Sequence, residues 1–494
     1  MHSRYTDPRI ESIWSDANRL NHWQDTEFAV ILGNVALGKI PKKFYRKIRR
    51  ILKSKPIDLD WWRARDKEIH HDLNAFLDER LRYLPPDLQQ FLHQFITSYD
   101  TEEPAFARML VESLAIVDEV YDRTKRAIVF LALKYRFLIK LGKTHGQDAE
   151  LQTFGKRCLT WLRDLEEAYE ALAQARQVLK YSKISGAIGN YGAIDPELEK
   201  KALKILGFEP YYGATQIMPR VLYVPLADAL SNIVQVLDKV ATDIRLNARG
   251  GRPLMREPFG KKQKGSSAMP QKKNQVRSEN EGGMARMAAG YSQMIHANIQ
   301  TWEERDISQS SVERVAWADL FHVTVNALKG MVFILEGLNV YPDNIAQEVY
   351  EARGTYATAE VKEFLKRRMA IFGLSTEDAY RIVQLAAFNV FEPSQARQRI
   401  RATIPSLLSE GAALIDRISK LAPDPVISIQ DFIPAAELRV SNELEITGEM
   451  VAKYNECLRL IFAEKRAIEE WNWCFNPLYL LRHEAILYEK ILGE

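Results

Sequence analysis

The sequence predicts an all-α protein, and three observations carry that prediction. Apolar residues recur at offsets of three and four, as in Ile10, Ile13 and Trp14 and again in Phe106, Met109, Leu110, Leu114, Val117 and Val120, the spacing that gathers them on one face of a helix. Segments that alternate apolar and polar residues, the mark of a half-buried strand, are scarce. No repeat of solenoid length and no low-complexity tract interrupts the pattern. At 494 residues the chain exceeds one ordinary core and is expected to divide into two or three domains, and 46% apolar residues suffice to fill them.

Composition narrows the class. A net charge of +3 gives no bulk electrostatic case for nucleic acid or an anionic membrane as partner. Cys158, Cys457 and Cys474 are odd in number and mostly far apart, which argues against a disulfide framework or a zinc cluster and fits a reducing cytoplasm. The start, Met1-His2-Ser3-Arg4-Tyr5-Thr6-Asp7, lacks the apolar core of a signal peptide. The longest candidate membrane run, Ala127 to Leu133, is far short of the roughly 20 residues a span needs. A soluble, cytoplasmic protein is expected.

In chain order, Arg4-Tyr5 precede an amphipathic helix whose polar face carries Ser15, Asp16, Asn18 and Arg19. A basic run follows Pro41: Lys42, Lys43, Arg46, Lys47, Arg49, Arg50 and Lys53. Phe44, Ile48, Ile51 and Leu52 thread an apolar stripe through it, so a solvated helix face is expected rather than a nucleic-acid patch. Glu68-Ile69-His70-His71-Asp72-Leu73-Asn74-Ala75-Phe76 reads as helical, and adjacent histidines on a helix diverge by about 100°, so His70 and His71 do not readily share a metal. Thr97-Ser98-Tyr99-Asp100 and Thr144-His145-Gly146 are short polar clusters; the glycine after His145 permits unusual backbone geometry there. Gly186 and Gly189 suit close backbone packing, and Thr215-Gln216 forms a polar pair.

The chemistry concentrates in Gly265-Ser266-Ser267-Ala268-Met269-Pro270-Gln271-Lys272-Lys273-Asn274. Its Lys-rich lead, Gly260-Lys261-Lys262-Gln263-Lys264, has no helical periodicity, and a long helical pattern through Val276, Met284, Met287, Ala288 and Tyr291 follows. A small-residue loop thus feeds a helix N-terminus. Unpartnered amides of that first turn, with the Lys272 ammonium and the Asn274 amide, make an anion site. A serine hydroxyl is a poor base unless a positive field stabilises its alkoxide, and this loop offers one. Further on, Trp302-Glu303-Glu304-Arg305-Asp306-Ile307-Ser308-Gln309-Ser310-Ser311-Val312-Glu313-Arg314 places Ser310 and Arg314 four apart on one helical face, where they and Arg305 suit a phosphate. The plain alternative for this stretch is a salt-bridged helix of alternating charge. From about Pro423 the tail is rich in aromatics, Trp471, Trp473, Phe475 and Tyr479, and is expected to cover a subunit surface or meet a partner.

The loop resembles the Gly-Ser-Ser-x-Met-Pro-x-Lys-x-Asn signature of the fumarase and aspartase superfamily. Ser278-Glu279-Asn280 and the Trp302–Arg314 stretch are similar to the adenylosuccinate lyase branch. The resemblance covers about residues 1 to 360. It implies a three-domain fumarase/aspartase-like fold with a long central helical bundle: 1–97 carrying a pocket histidine, 98–345 the bundle and signature loop, 346–494 a helical domain with an extended tail. It further implies Ser266 as the base, His145 as the proton donor, and His71, Lys272 and Glu279 as catalytic helpers. A succinyl-nucleotide would be bound by Arg4, Tyr5, Arg19, Thr97, Ser98, Asp100, Thr144, Gln216, Ser267, Met269, Asn274, Arg305, Ser310 and Arg314. The expected reaction is elimination of fumarate from a succinyl amine, with no metal and no cofactor, in a homotetramer whose sites are shared between chains. An argininosuccinate lyase-like enzyme and a catalytically silent relative are the competing readings. Departures from the family pattern are Phe95 in place of a glycine, Tyr99, Asp148, Gln271 and Glu303.

Overall fold

A computed structural model describes residues 1–391 and 445–493, and within them the chain is helical as expected. Pro423, where the tail was expected to begin, lies outside the described residues. The longest helices among them are Asp16–Ala36, Ser98–Lys134, Phe154–Ala175, Val224–Asn247, Val276–Ala297 and Ser308–Glu336. Short polar side chains set several helix starts: Ser15 accepts the Asn18 amide at 3.2 Å and Asp195 that of Glu197 at 3.0 Å, satisfying first-turn donors.

By contact the chain forms two compact units, Met1–Lys125 with Asp164–Thr242 and Val276–Ile334, and Arg126–Arg163 with Asp243–Gln275 and Leu335–Glu494. In the first, Leu20, Trp23, Phe28, Ile48, Leu52, Trp62 and Phe76 share one core. The helix Lys42–Lys53 lends Ile48 and Leu52 to it and leaves all seven cations of the basic run exposed, so the stripe seen in sequence is what seats this helix. A chain of aromatic rings, Trp14, Phe106, Tyr223, Trp317 and Phe321, with centroids 5.5 to 6.4 Å apart, packs the helices Ser98–Lys134 and Ser308–Glu336 together.

The second unit holds the clearest departure from helix. Ile139–Thr144 and Gln147–Thr153 form an antiparallel hairpin with an irregular register between Leu141 and Lys143. His145 and Gly146 are its two-residue loop, both with positive φ (53° and 78°), the geometry that matches the twist of paired strands. The tail aromatics also differ from expectation. Trp471 and Phe475 are fully buried, Trp471 packing against both Phe364 and Phe475, whereas Trp473 is exposed. They are core, because the helix Lys465–Phe475 turns that face inward.

Two more expectations are corrected. His70 and His71 do not share a helix: His70 closes Leu59–Ile69 in the left-handed region (φ 53°), and His71 is the extended N-cap of Asp72–Leu81, its Nδ1 accepting the Asn74 amide at 3.3 Å. Ala127–Leu133 is also not the most membrane-like stretch. Arg220–Asn247 and Ser308–Glu336 are long and apolar enough to cross a membrane, and 56% and 72% of their most apolar windows are buried inside the protein. That burial is how core helices of a large bundle satisfy the same composition.

Just before the Ser98–Lys134 helix, His93 and Phe95 both adopt positive φ (55° and 65°). Glu27 anchors the turn from inside: it accepts the His93 amide at 2.9 Å, meets His93 Nδ1 at 2.8 Å and accepts the Thr101 hydroxyl at 2.9 Å. Burial pulls the imidazole pKa down, the charge and hydrogen bond of Glu27 and the charge of Asp100 together pull it up, and the net shift is upward. A raised folded-state pKa means this stabilisation is complete below the ordinary histidine value and fades as pH rises through the raised one. Thermal melts between pH 6 and 9 should therefore show a larger loss of Tm for the wild type than for His93→Gln. Equal slopes would remove His93 from the balance.

Candidate active site

Two adjoining cavities in the first unit, about 220 and 270 Å³, share Arg19, Glu102 and Arg314 in their walls. The first has an aromatic floor of Trp14, Trp23 and Phe106 and is bordered by Ser310 and Glu313. The second is bordered by His70, His71, Asp72, Ser98 and Arg305. Six of the residues singled out in sequence, Arg19, His71, Ser98, Arg305, Ser310 and Arg314, thus meet at one cleft although they come from four separate stretches of chain.

Each cation there is held without a ligand. Arg19 lies between the rings of Trp23 and Trp62, 5.1 and 5.6 Å from their centroids, and pairs with Asp16 at 3.1 Å. Asp72 bridges Arg314, at 2.9 Å, and Arg19, at 3.8 Å. Arg305 stacks 4.1 Å over Tyr99 and donates to Gln216 Oε1 at 3.0 Å, while its Nε is buried with no hydrogen-bond partner. An unspent buried donor on a fixed guanidinium is an open position for an oxyanion. Gln216 does not line the cleft; it ties Arg305 to Ala187 O, 3.2 Å from its own amide.

In the wall of the first cavity, Arg220 is buried between Glu313, at 2.6 and 3.1 Å, and Glu103. Burial works against its charge and the two carboxylates outweigh it, holding the guanidinium pKa well up. Asp100 is fully buried and engaged, with Lys183 Nζ at 2.6 Å and the amides of Thr97 and Gly186 at 2.9 and 3.2 Å. Its oxygens fix the start of the Ser98–Lys134 helix and the 183–186 turn; the carboxylate lies behind the cleft wall. Thr97 likewise offers its amide to Asp100. Arg4 and Tyr5 form a short turn whose side chains do not line the cleft. Glu279 is exposed in the first turn of Val276–Ala297. Sequence reasoning passed over Asp72, Glu102, Arg220 and Lys183 as working groups; the unusual Tyr99 and Glu102-Glu103 in an otherwise familiar segment were the available signal.

The signature loop belongs to the second unit. Met255–Arg256 pairs with Asn339–Val340 at its root, and Gln275 Oε1 accepts the Glu257 amide at 2.8 Å, which pins both ends. Ser266 Oγ accepts the amides of Ala268 and Met269 at 3.3 and 3.1 Å. The donors beside the serine are therefore the loop's own amides, not those of the following helix turn. Asn274 donates to Gly265 O at 2.7 Å, so it closes the loop on itself. A Cβ at Gly265 would collide with Lys272 O, which is why no side chain fits there. Ser267, Met269 and Lys272 are exposed, as are Thr144 and His145 on the hairpin, and the His145 ring makes no hydrogen bond among the described residues.

A family profile described as "Lyase" matches residues 6–290. The chain is 35% identical over 413 residues to the adenylosuccinate lyase of Synechocystis sp., covering 83% of this chain and 94% of that one. It is 34% identical over 392 residues to the adenylosuccinate lyase of Aquifex aeolicus, with 79% and 89% covered. Among solved structures it is similar in fold to a fumarate lyase from Mesorhizobium sp. BNC1, TM-score 0.72 at 18% identity over 93% of this chain and 99% of that one. A 3-carboxy-cis,cis-muconate lactonizing enzyme from Pseudomonas putida gives TM-score 0.71 at 19% identity, covering 95% and 98%.

Removing the Arg220 charge leaves Glu103 and Glu313 buried without their cation. Arg220→Met should cost about 3–5 kcal/mol of stability, read from urea unfolding midpoints. A loss below about 1 kcal/mol would show that the carboxylates find other partners.

Proposed function

The chain belongs to the adenylosuccinate lyase family, and on that premise we propose that it splits adenylosuccinate, and the succinylated carboxamide ribotide of purine synthesis, by β-elimination of fumarate. The observation that carries this reading is the cleft: Arg19, Arg305, Arg314 and Ser310 converge above an aromatic floor, which suits a phosphomonoester beside a planar base. Elimination from an amino acid or a hydroxy acid alone has no use for such a phosphate site.

A proton next to a carboxylate is a weak acid, so the carbanion must be held as a doubly charged carboxylate. Ser266 takes the Cβ proton. The amides of Ala268 and Met269, aimed at its oxygen, stabilise the alkoxide that does so, and Lys272 supports the charge on the substrate. The electron pair of the C–H bond becomes the fumarate double bond as the C–N bond breaks. His145 delivers a proton to the departing nitrogen, with His71 assisting at the cleft. Arg4, Tyr5, Thr97, Ser98, Thr144, Gln216, Ser267, Met269, Asn274 and Glu279 belong to the same reading as binding or supporting groups, and Asp100 as a positioning residue. So does the division into 1–97, 98–345 and 346–494. The free imidazole of His145 on an exposed turn supports a site completed by neighbouring chains of a homotetramer.

Absorbance of the purine should change when the purified protein meets adenylosuccinate. Ser266→Ala and His145→Gln should keep the helical circular dichroism signal and each lose about 10²–10⁴-fold in turnover. Near-normal turnover in either overturns its role. Mixing the two variants should recover part of the activity, because some sites in a mixed tetramer receive both intact residues; no recovery would mean that one chain supplies both.

A further inference from the structure

The geometry points to Glu102 as a specificity-determining residue: in its acid form it donates a hydrogen bond to the phosphomonoester that Arg19, Arg305 and Arg314 hold. This rests on reading the cleft as a phosphate site. Glu102 lies in the first turns of the Ser98–Lys134 helix and borders both cavities, next to the two arginines they share. Four of the carboxylates around it are occupied: Asp72 bridges Arg314 and Arg19, Asp16 holds Arg19 and Arg63, and Glu103 and Glu313 hold Arg220. The Glu102 carboxyl makes no hydrogen bond among the described residues. Asp66, in the wall of the second cavity alone, is likewise without an ion pair among the described residues; Glu102 is the unpaired acid that borders both cavities.

Its charge state decides what it does there. Burial and the neighbouring Asp72 push its pKa up, Arg305, Arg19 and Arg314 pull it down, and it ends at about 8. At neutral pH the group is therefore mostly a neutral acid, and an acid has an O–H to give a phosphate oxygen. Once ionised it is an acceptor facing an anion and opposes the same ligand. A phosphate dianion in the cleft adds negative charge beside Glu102 and favours its proton further. Binding a phosphomonoester above the ionisation point then takes up a proton, whereas binding the nucleoside alone does not.

Other charged or titratable groups face Glu102 from every side: Asp16 and Arg19 on one helix; Asp66, His70, His71 and Asp72 around the next helix junction; Tyr99 and Glu103 on its own helix; Arg220; and Arg305, Glu313 and Arg314. Glu102→Gln keeps all of them, so any pH dependence that survives in that variant is theirs.

The test is calorimetric titration of the full chain with AMP and with adenosine between pH 7 and 9, in buffers of different ionisation enthalpy. Wild-type affinity for AMP should fall about tenfold across that interval, with proton uptake at the upper end, as one linked proton with a midpoint near 8 requires. Glu102→Gln should bind AMP with little pH dependence, Glu102→Asp should retain a slope, and adenosine should show none with any chain. Equal slopes in wild type and Glu102→Gln, or AMP binding with no slope in the wild type, overturn the role of Glu102 alone. Failure of every chain to bind AMP at any pH overturns this role together with the phosphate reading of the cleft.

Discussion

Arg220, held between Glu103 and Glu313, is the interaction on which the cleft's shape depends. Glu103 belongs to the Ser98–Lys134 helix and Glu313 to Ser308–Glu336, and the guanidinium at the Arg220–Leu222 turn fixes the facing sides of both. Tyr99 and Glu102 precede Glu103 by one turn or less. Ser310 and Arg314 flank Glu313 in the same way on the opposite helix. Locking the two carboxylates therefore aims four cleft residues at once. Buried ion pairs contribute little net stability compared with apolar packing; what this one provides is a single rotational setting of two helices whose aromatic contacts with each other would tolerate some slippage.

The same economy of partners runs through the cations of the cleft. Arg19 and Arg314 share Asp72, and Arg305 is steered by Tyr99 beneath it and Gln216 beside it. Side chains already fixed in this way lose little rotamer freedom when an anion arrives. The second unit has its own version of this arrangement, in which backbone amides of the loop face the Ser266 oxygen and need no reorganisation to stabilise charge on it.

What the sequence made legible was local. Helical period gave the bundle helices, the spacing of Ser310 and Arg314 placed them on one face, and the small-residue loop stood out by its composition alone. What it hid was long-range or sterically unusual. Glu103 and Arg220 are 117 positions apart, and Asp72 and Arg314 are 242 apart, so neither pair leaves a mark in a sliding window. The break between His70 and His71 uses a left-handed histidine where a glycine would have announced it. The Ile139–Thr153 hairpin escaped notice because its alternation is short: Ile139 and Leu141 in the first strand, around Lys140, which is itself buried, and Ala149 and Leu151 in the second. Burial of that lysine brings its pKa down to about 8, a sign that the strand was placed by packing rather than by the polarity of its residues.

One feature of the serine loop reaches beyond its chemistry. Asn274 on Gly265, the amides of residues 268 and 269 on Ser266, and the close approach of Gly265 to Lys272 turn ten residues into a small ring of backbone. Ordering a backbone costs roughly 1–2 kcal/mol per residue. Because the ring is cinched during folding, the entropy of shaping it is not spent again when a ligand meets it.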